Sequence, residues 1–126
     1  MTQHELDSFL TRYVAMWHEP DAQRRRAIVA SLWAEDAENT TRRFEVRGLD
    51  AIFARVTRAH EEWVAEKGFI FRPAGYPDAH HNVVKFVWEM VPSAGGPIEA
   101  RGLDVFVLRE DGRIRALYQF SEPLPA

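Results

Sequence analysis

Asp104 interrupts Gly102-Leu103-Asp104-Val105-Phe106-Val107-Leu108, a run otherwise free of charge. A carboxyl held among such neighbours loses hydration, its pKa rises, and it can exchange a proton or donate a hydrogen bond near neutral pH. In a strand Asp104 shares its face with Phe106 and Leu108, so this chemistry requires that face to line a cavity. The alternative is an aspartate near a strand start that meets water or an arginine such as Arg101. Tyr13 falls on the apolar face of an amino-terminal helical segment, where its hydroxyl needs either a core partner or the cavity. His80 and His81 are consecutive, so only one of them points inward on a strand, and His60 lies on the inner face of a later helical segment. His81 or His60 can serve as a base, or either can be a surface or loop-end histidine.

The large apolar side chains admit two readings as well, since they suit a core or a pocket for flat, cyclic molecules. Trp17, Trp33, Phe53, Val56, Phe86, Trp88 and Phe106 are the candidate substrate-binding residues. Among them Trp88 alternates with Phe86 and Met90 on the side expected to face the helices. The absences narrow the chemistry further. There is no cysteine, hence no disulfide, thiolate metal site or cysteine nucleophile, and the cytosol is the expected compartment. No His, Asp or Glu set has metal-ligand spacing, so neither metal nor cofactor is expected, and phosphate loop and nucleophile elbow are both missing. Asn39-Thr40-Thr41 matches a glycosylation acceptor by chance, and Arg24 to Arg26 read as a solvated helix face. Sixteen basic against nineteen acidic residues, a net charge of −3, build in no attraction for nucleic acid or anionic lipid. His4, Glu5 and Asp7 stand where a signal peptide needs an apolar run, and no stretch approaches the roughly 20 apolar residues of a membrane span.

The elements that must position these residues are legible in the periodicity. Thr2 and Glu5 have capping-box spacing, and Leu6, Phe9, Leu10, Tyr13, Val14 and Trp17 form one helical face ending near His18, before Pro20. Asp21 caps a second helix with Ile28, Val29, Leu32 and Trp33 inward. Short extended pieces, Glu38 to Thr41 and Phe44 to Arg47, precede a third helix capped by Asp50, with Ile52, Phe53, Val56, His60, Trp63 and Val64 inward and Gly68 at its end. The period then becomes 2. A strand from Phe69 is broken by Pro73, Gly75 and Pro77. Strands follow at His81 to Val91 and Ile98 to Arg109, and Asp111-Gly112 turns the chain into Ile114 to Phe120. Residues 1–126 thus form one α+β domain, a curved antiparallel sheet wrapped round three helices as a cone with one apolar cleft at its open end.

The order of elements, with Arg12-Tyr13-Val14-Ala15, Leu32-Trp33-Ala34-Glu35-Asp36-Ala37, Leu103-Asp104-Val105-Phe106 and Asp111-Gly112-Arg113-Ile114, resembles the SnoaL-like and ketosteroid-isomerase-like branch of the nuclear transport factor 2-like superfamily. That resemblance implies a cone-shaped, cystatin-like α+β barrel with an apolar pocket, and members often form dimers through the outer sheet face, here the side of Val83, Val87 and Val91. Ketosteroid isomerase uses a tyrosine and a protonated aspartic acid as an oxyanion hole and a second aspartate as base. Tyr13 and Asp104 match the first two; the place of the base falls near Thr41, where no acid stands. SnoaL-like cyclases rely on a strand aspartate, which Asp104 matches. The resemblance implies a small apolar ligand and a cofactor-independent isomerase or cyclase acting by proton transfer on a polyketide- or steroid-like substrate. A non-catalytic binding or dimerisation module of the same fold is the alternative.

Overall fold

The computed structural model describes residues 1–125. Helix α1, Gln3–His18, begins as its sequence requires: the Thr2 hydroxyl accepts from the Glu5 N–H, and the Glu5 carboxylate accepts from the Thr2 N–H. A cap of this kind is worth about 1 kcal/mol, enough to fix where the helix starts. Leu6, Phe9, Leu10, Tyr13, Met16 and Trp17 form its buried face. Asp21 caps α2, Ala22–Leu32, through the Arg24 N–H. Strand β1, Trp33–Thr40, follows without a linking residue, so Trp33 opens a strand rather than closing the helix. An aromatic side chain suits a pleated, half-buried strand, and pairing of Trp33 with Ile114 holds it there.

Two further helix details depart from expectation. Arg25 is only 3% exposed, with its guanidinium donating to the Glu19 carbonyl at 2.7 Å and to the Thr57 hydroxyl at 3.1 Å; it is an internal tie, not part of a solvated face. After β2, Glu45–Arg47, helix α3, Leu49–Ala59, starts from Gly48 at φ 90°, with no side-chain cap. Asp50 instead sits in the first turn, where its carboxylate favours the helix dipole and pairs with Arg26 at 3.2 Å. The helix widens into a π-helical segment, His60–Glu66, and Gly68 at φ 74° releases the chain.

The remaining strands are β3, Phe69–His80; β4, Val83–Pro92; β5, Ala100–Leu108; and β6, Ile114–Glu122. Pro73, Gly75 and Pro77 do not break β3. It is the edge strand, so the missing proline N–H groups face no partner, and the mismatch is absorbed by a register shift between Ala74 and Asp78. The sheet order is β2-β1-β6-β5-β4-β3. All neighbours are antiparallel except β1 and β6, which run parallel, so the sheet is mixed rather than wholly antiparallel. No hairpin joins those two strands, and nothing in the connection dictates opposed directions.

The helices fill the concave face. Gly102, Asp104, Phe106 and Leu108 of β5 are buried, whereas Leu103, Val105 and Val107 on its outer face are half-buried. Val83 and Val87 extend that outer face, but Val91 is 5% exposed and already enclosed by its own chain. Among the described residues no helix is long and apolar enough to cross a membrane.

Candidate active site

A cavity of about 460 Å³ remains between α1, α3 with its π-helical extension, the β1–β2 turn and the inner face of β4 to β6. That is the size range of small-molecule sites. Asp104 stands in its wall at 1% exposure. One carboxylate oxygen, Oδ2, accepts from the Tyr13 hydroxyl at 2.9 Å, and the other, Oδ1, accepts from the Trp88 indole N–H at 3.0 Å. Burial pushes the Asp104 carboxyl up to about 6, while the hydrogen bonds from Tyr13 and Trp88, the Arg55 charge and a bond with Gln119 pull the other way. A group with that pKa is roughly nine-tenths ionised at pH 7 yet readily protonated, the poise a general acid/base needs.

Tyr13 is placed by aromatic packing. Its ring meets Phe106 edge-on at 4.8 Å, Phe86 at 5.8 Å and Trp17 at 5.9 Å. Burial, followed by the Asp104 charge, raises its pKa well above the ordinary tyrosine value, so it remains a hydroxyl and a donor. Trp88 crosses the sheet over Gly102, its partner on β5, where any Cβ would collide with the indole ring. Glycine at that position lets the indole lie flat enough to reach Asp104.

Of the expected substrate-binding residues, Trp17, Phe86 and Trp88 line the cavity with Tyr13 and Asp104. Trp33 and Val56 are fully enclosed in the core, Trp33 donating its indole N–H to the Met16 sulfur at 3.3 Å. Phe106 is also core, bracing Tyr13 from behind. Phe53 is half-buried beneath the Arg26 guanidinium at 4.2 Å, away from the cavity lining.

Neither histidine offered as a base reaches the cavity. His81 sits in the β3–β4 turn at φ 52°, exposed and 3.1 Å from His80 through their Nδ1 atoms. His60 is buried, but its Nδ1 faces the Trp17 carbonyl at 2.9 Å and ties the end of α1 to the π-helical segment. His18, not singled out in the sequence, has a similar duty: its Nε2 accepts from the Phe71 N–H at 3.0 Å, joining α1 to β3. Thr41, where the resemblance puts the second carboxylate, does line the cavity. Among the described residues no three His, Asp or Glu side chains gather as a metal-binding group.

Arg55 is the most deeply placed charged lining residue that the sequence reading did not single out. It follows Ile52 by three and precedes Ala59 by four, the spacing of the inward face of α3, and that was the available signal. Its guanidinium lies 5.0 Å from the Trp17 ring and 4.7 Å from the Phe44 ring. Nη2 donates to the Gln119 Oε1 at 3.3 Å, and Gln119 is the cross-strand partner of Asp104. Burial lowers the Arg55 pKa from its ordinary value, but an arginine so placed remains a cation.

The profile of the SnoaL-like domain family matches residues 10–117. Among solved structures, a candidate isomerase of the SnoaL-like family from Agrobacterium tumefaciens superposes with a TM-score of 0.85 at 32% identity, covering 98% of this chain and 100% of that one. A SnoaL-like protein of unknown function from Burkholderia thailandensis (TM-score 0.73, 16% identity) covers 98% of this chain and 99% of its own. A candidate polyketide cyclase from Sinorhizobium meliloti (TM-score 0.70, 15% identity) covers 95% and 100% respectively. These two share the fold. No curated protein matches the chain. The family profile spanning most of its length, together with a 32%-identical SnoaL-like relative matched end to end, makes this chain a member of the SnoaL-like domain family, with the cone-shaped α+β fold of the nuclear transport factor 2-like superfamily.

Proposed function

We propose that this chain is an enzyme that moves a proton on the carbon beside a carbonyl of a cyclic, mostly apolar small molecule, an isomerase- or cyclase-type reaction with Asp104 as its acid/base. The observation that carries this reading is a carboxyl 1% exposed, hydrogen-bonded to Tyr13 and Trp88, in the wall of a cavity that eight aromatic side chains help to line. Names borne by the Agrobacterium and Sinorhizobium proteins point the same way. With one hydrogen bond on each oxygen, ionised Asp104 retains lone pairs for a substrate C–H. The proton passes to Asp104 and the C–H electron pair moves onto the carbonyl as an enolate. In an isomerisation Asp104 returns the proton to a different carbon. In a cyclisation the enolate carbon bonds to a second carbonyl of the same molecule, and the new alkoxide takes the proton back from Asp104.

Tyr13 commits its single proton to Asp104, so its role is to position and tune the carboxylate. The developing negative charge lies in the field of the lining arginines, in a low-dielectric site where such fields act strongly.

A second reading has its own support: among the described residues no histidine and no second carboxylate lines the cavity, which suits a binding module without chemistry. Exchange of the α-protons of 2-tetralone in D₂O, followed by proton NMR, separates the two. The wild type should accelerate exchange about a hundredfold over buffer, and Asp104→Asn should return it to the buffer rate while 2-tetralone still quenches tryptophan fluorescence. Quenching without acceleration by the wild type would leave the binding module.

A further inference from the structure

The cavity is charged against the trend of the molecule. The chain carries a net charge of −3, yet Arg42, Arg43, Arg55 and Arg101 line the cavity, and among the described residues Asp104 is the one acid there. Arg101 is engaged at the rim, its Nε 3.6 Å from Glu89 and its Nη1 donating to the Pro123 carbonyl at 3.2 Å. Arg42 and Arg43 are exposed on the β1–β2 turn and form no ion pair among the described residues. Arg55 is the most informative. Its Nε and Nη1 are both buried and have no hydrogen-bond partner among the described residues.

Buried donors of a charged group are ordinarily satisfied, and packing alone would be served as well by methionine or leucine. A carboxylate matches an edge of a guanidinium with two parallel bonds, Nε beside Nη2 or Nη1 beside Nη2, and Nη2 carries a second N–H besides the one given to the Gln119 Oε1. The Phe44 ring rests against this fork from an exposed turn and is itself 41% exposed, so it can lift away as an anion arrives.

We propose that the cavity takes an organic anion, a cyclic or aromatic carboxylate whose acid group is held by Arg55, with Arg42 and Arg43 drawing it in at the mouth and its ring lying among Trp17, Phe86 and Trp88. This rests on the reading of the cavity as a substrate site and narrows it, since a neutral ketone or ester leaves the Arg55 fork unmatched. It also divides the labour: Arg55 anchors one end of the molecule while Asp104 acts on the other.

The test compares 2-naphthoate with its neutral isostere 2-naphthamide by isothermal titration calorimetry at pH 7.5. Naphthoate should bind at least about tenfold more tightly, and Arg55→Met should reduce that preference to about threefold or less. The double variant Arg42→Ala/Arg43→Ala, at two exposed positions, should weaken naphthoate severalfold, flatten its salt dependence and leave the amide unchanged. Equal binding of acid and amide, or a preference that survives Arg55→Met, overturns the proposal. Tight binding of the amide alone does so while leaving proton transfer by Asp104 intact, and binding of neither compound counts against both.

Discussion

Gly102 stands directly opposite Trp88 across the β4–β5 pair, and the indole occupies the space that a side chain at Gly102 would take. The hydrogen bond from Trp88 to Asp104 therefore depends on a residue with no side chain. Gly102→Ala should displace the indole, destabilise the fold by about 1–3 kcal/mol through overpacking, and break that bond. Because the Trp88 N–H favours the carboxylate form, the Asp104 titration should move upward, which carboxyl carbon NMR would register. An unmoved titration with unchanged tryptophan fluorescence would show that the sheet accommodates the methyl group another way.

Exchange activity should rise with pH through about 6 and then level off, since the ionised form of Asp104 is the base. Initial rates of 2-tetralone exchange between pH 4.5 and 8, corrected for buffer, measure this. A bell-shaped profile centred on neutrality would instead require a second titrating group in the site.

The same carboxyl affects stability with the opposite slope. Its folded pKa, about 6, lies above the ordinary 3.8, so the folded state binds the extra proton between those values. The associated stability is fully present below pH 3.8 and is lost as pH rises through 6, amounting to roughly 3 kcal/mol. Urea denaturation of wild type and Asp104→Asn at several pH values should show a difference in stability that shifts in favour of the variant between pH 4 and 7. A difference independent of pH would mean that Asp104 titrates like a solvated carboxyl.

Arg25→Ala should cost roughly 2–4 kcal/mol, because it leaves the Glu19 carbonyl and the Thr57 hydroxyl without their charged donor at a site 3% exposed. Arg24→Ala, on the exposed side of the same helix, should change stability by less than about 0.5 kcal/mol. Thermal melts of the two variants make the comparison internal to one helix.

We propose that the outer sheet face pairs two copies of the chain. Val83, Val87, Leu103, Val105 and Val107 lie half-buried there, and Tyr118 of β6 is 41% exposed. Val105→Lys should shift the elution volume to that of a monomer with little change in melting temperature. A wild type that runs as a monomer at every concentration would remove the basis for this pairing.

The legible part of this architecture was local. Thr2 and Glu5 specified where α1 begins, Leu6 to Trp17 specified which side it buries, and parity put Asp104 on the face of Phe106 and Leu108, which the fold turns inward. Tyr13 and Asp104 were each identified as candidates for the same wall, and they meet at 2.9 Å. What escaped was decided by tertiary contacts. Arginine is long enough to end in water or in the interior from one backbone position, so the helix period put Arg25 and Arg55 on inward faces without showing that their guanidinium groups stay inside. His60 did lie on an inner face, but that face meets the end of α1 rather than the cavity. Pro73 and Pro77 read as breaks because the sequence does not say that β3 will be an edge.

The parallel pairing of β1 with β6 joins the first strand of the chain to the last. A ribosome releases Tyr13 well before Asp104, 91 residues later, and the centre of the sheet stays open until β6 slots between β1 and β5. Contacts so distant along the chain slow folding toward the millisecond-to-second range. During that interval the greasy sides of the early helices have no sheet to cover them, the exposure that makes a half-folded chain prone to aggregate.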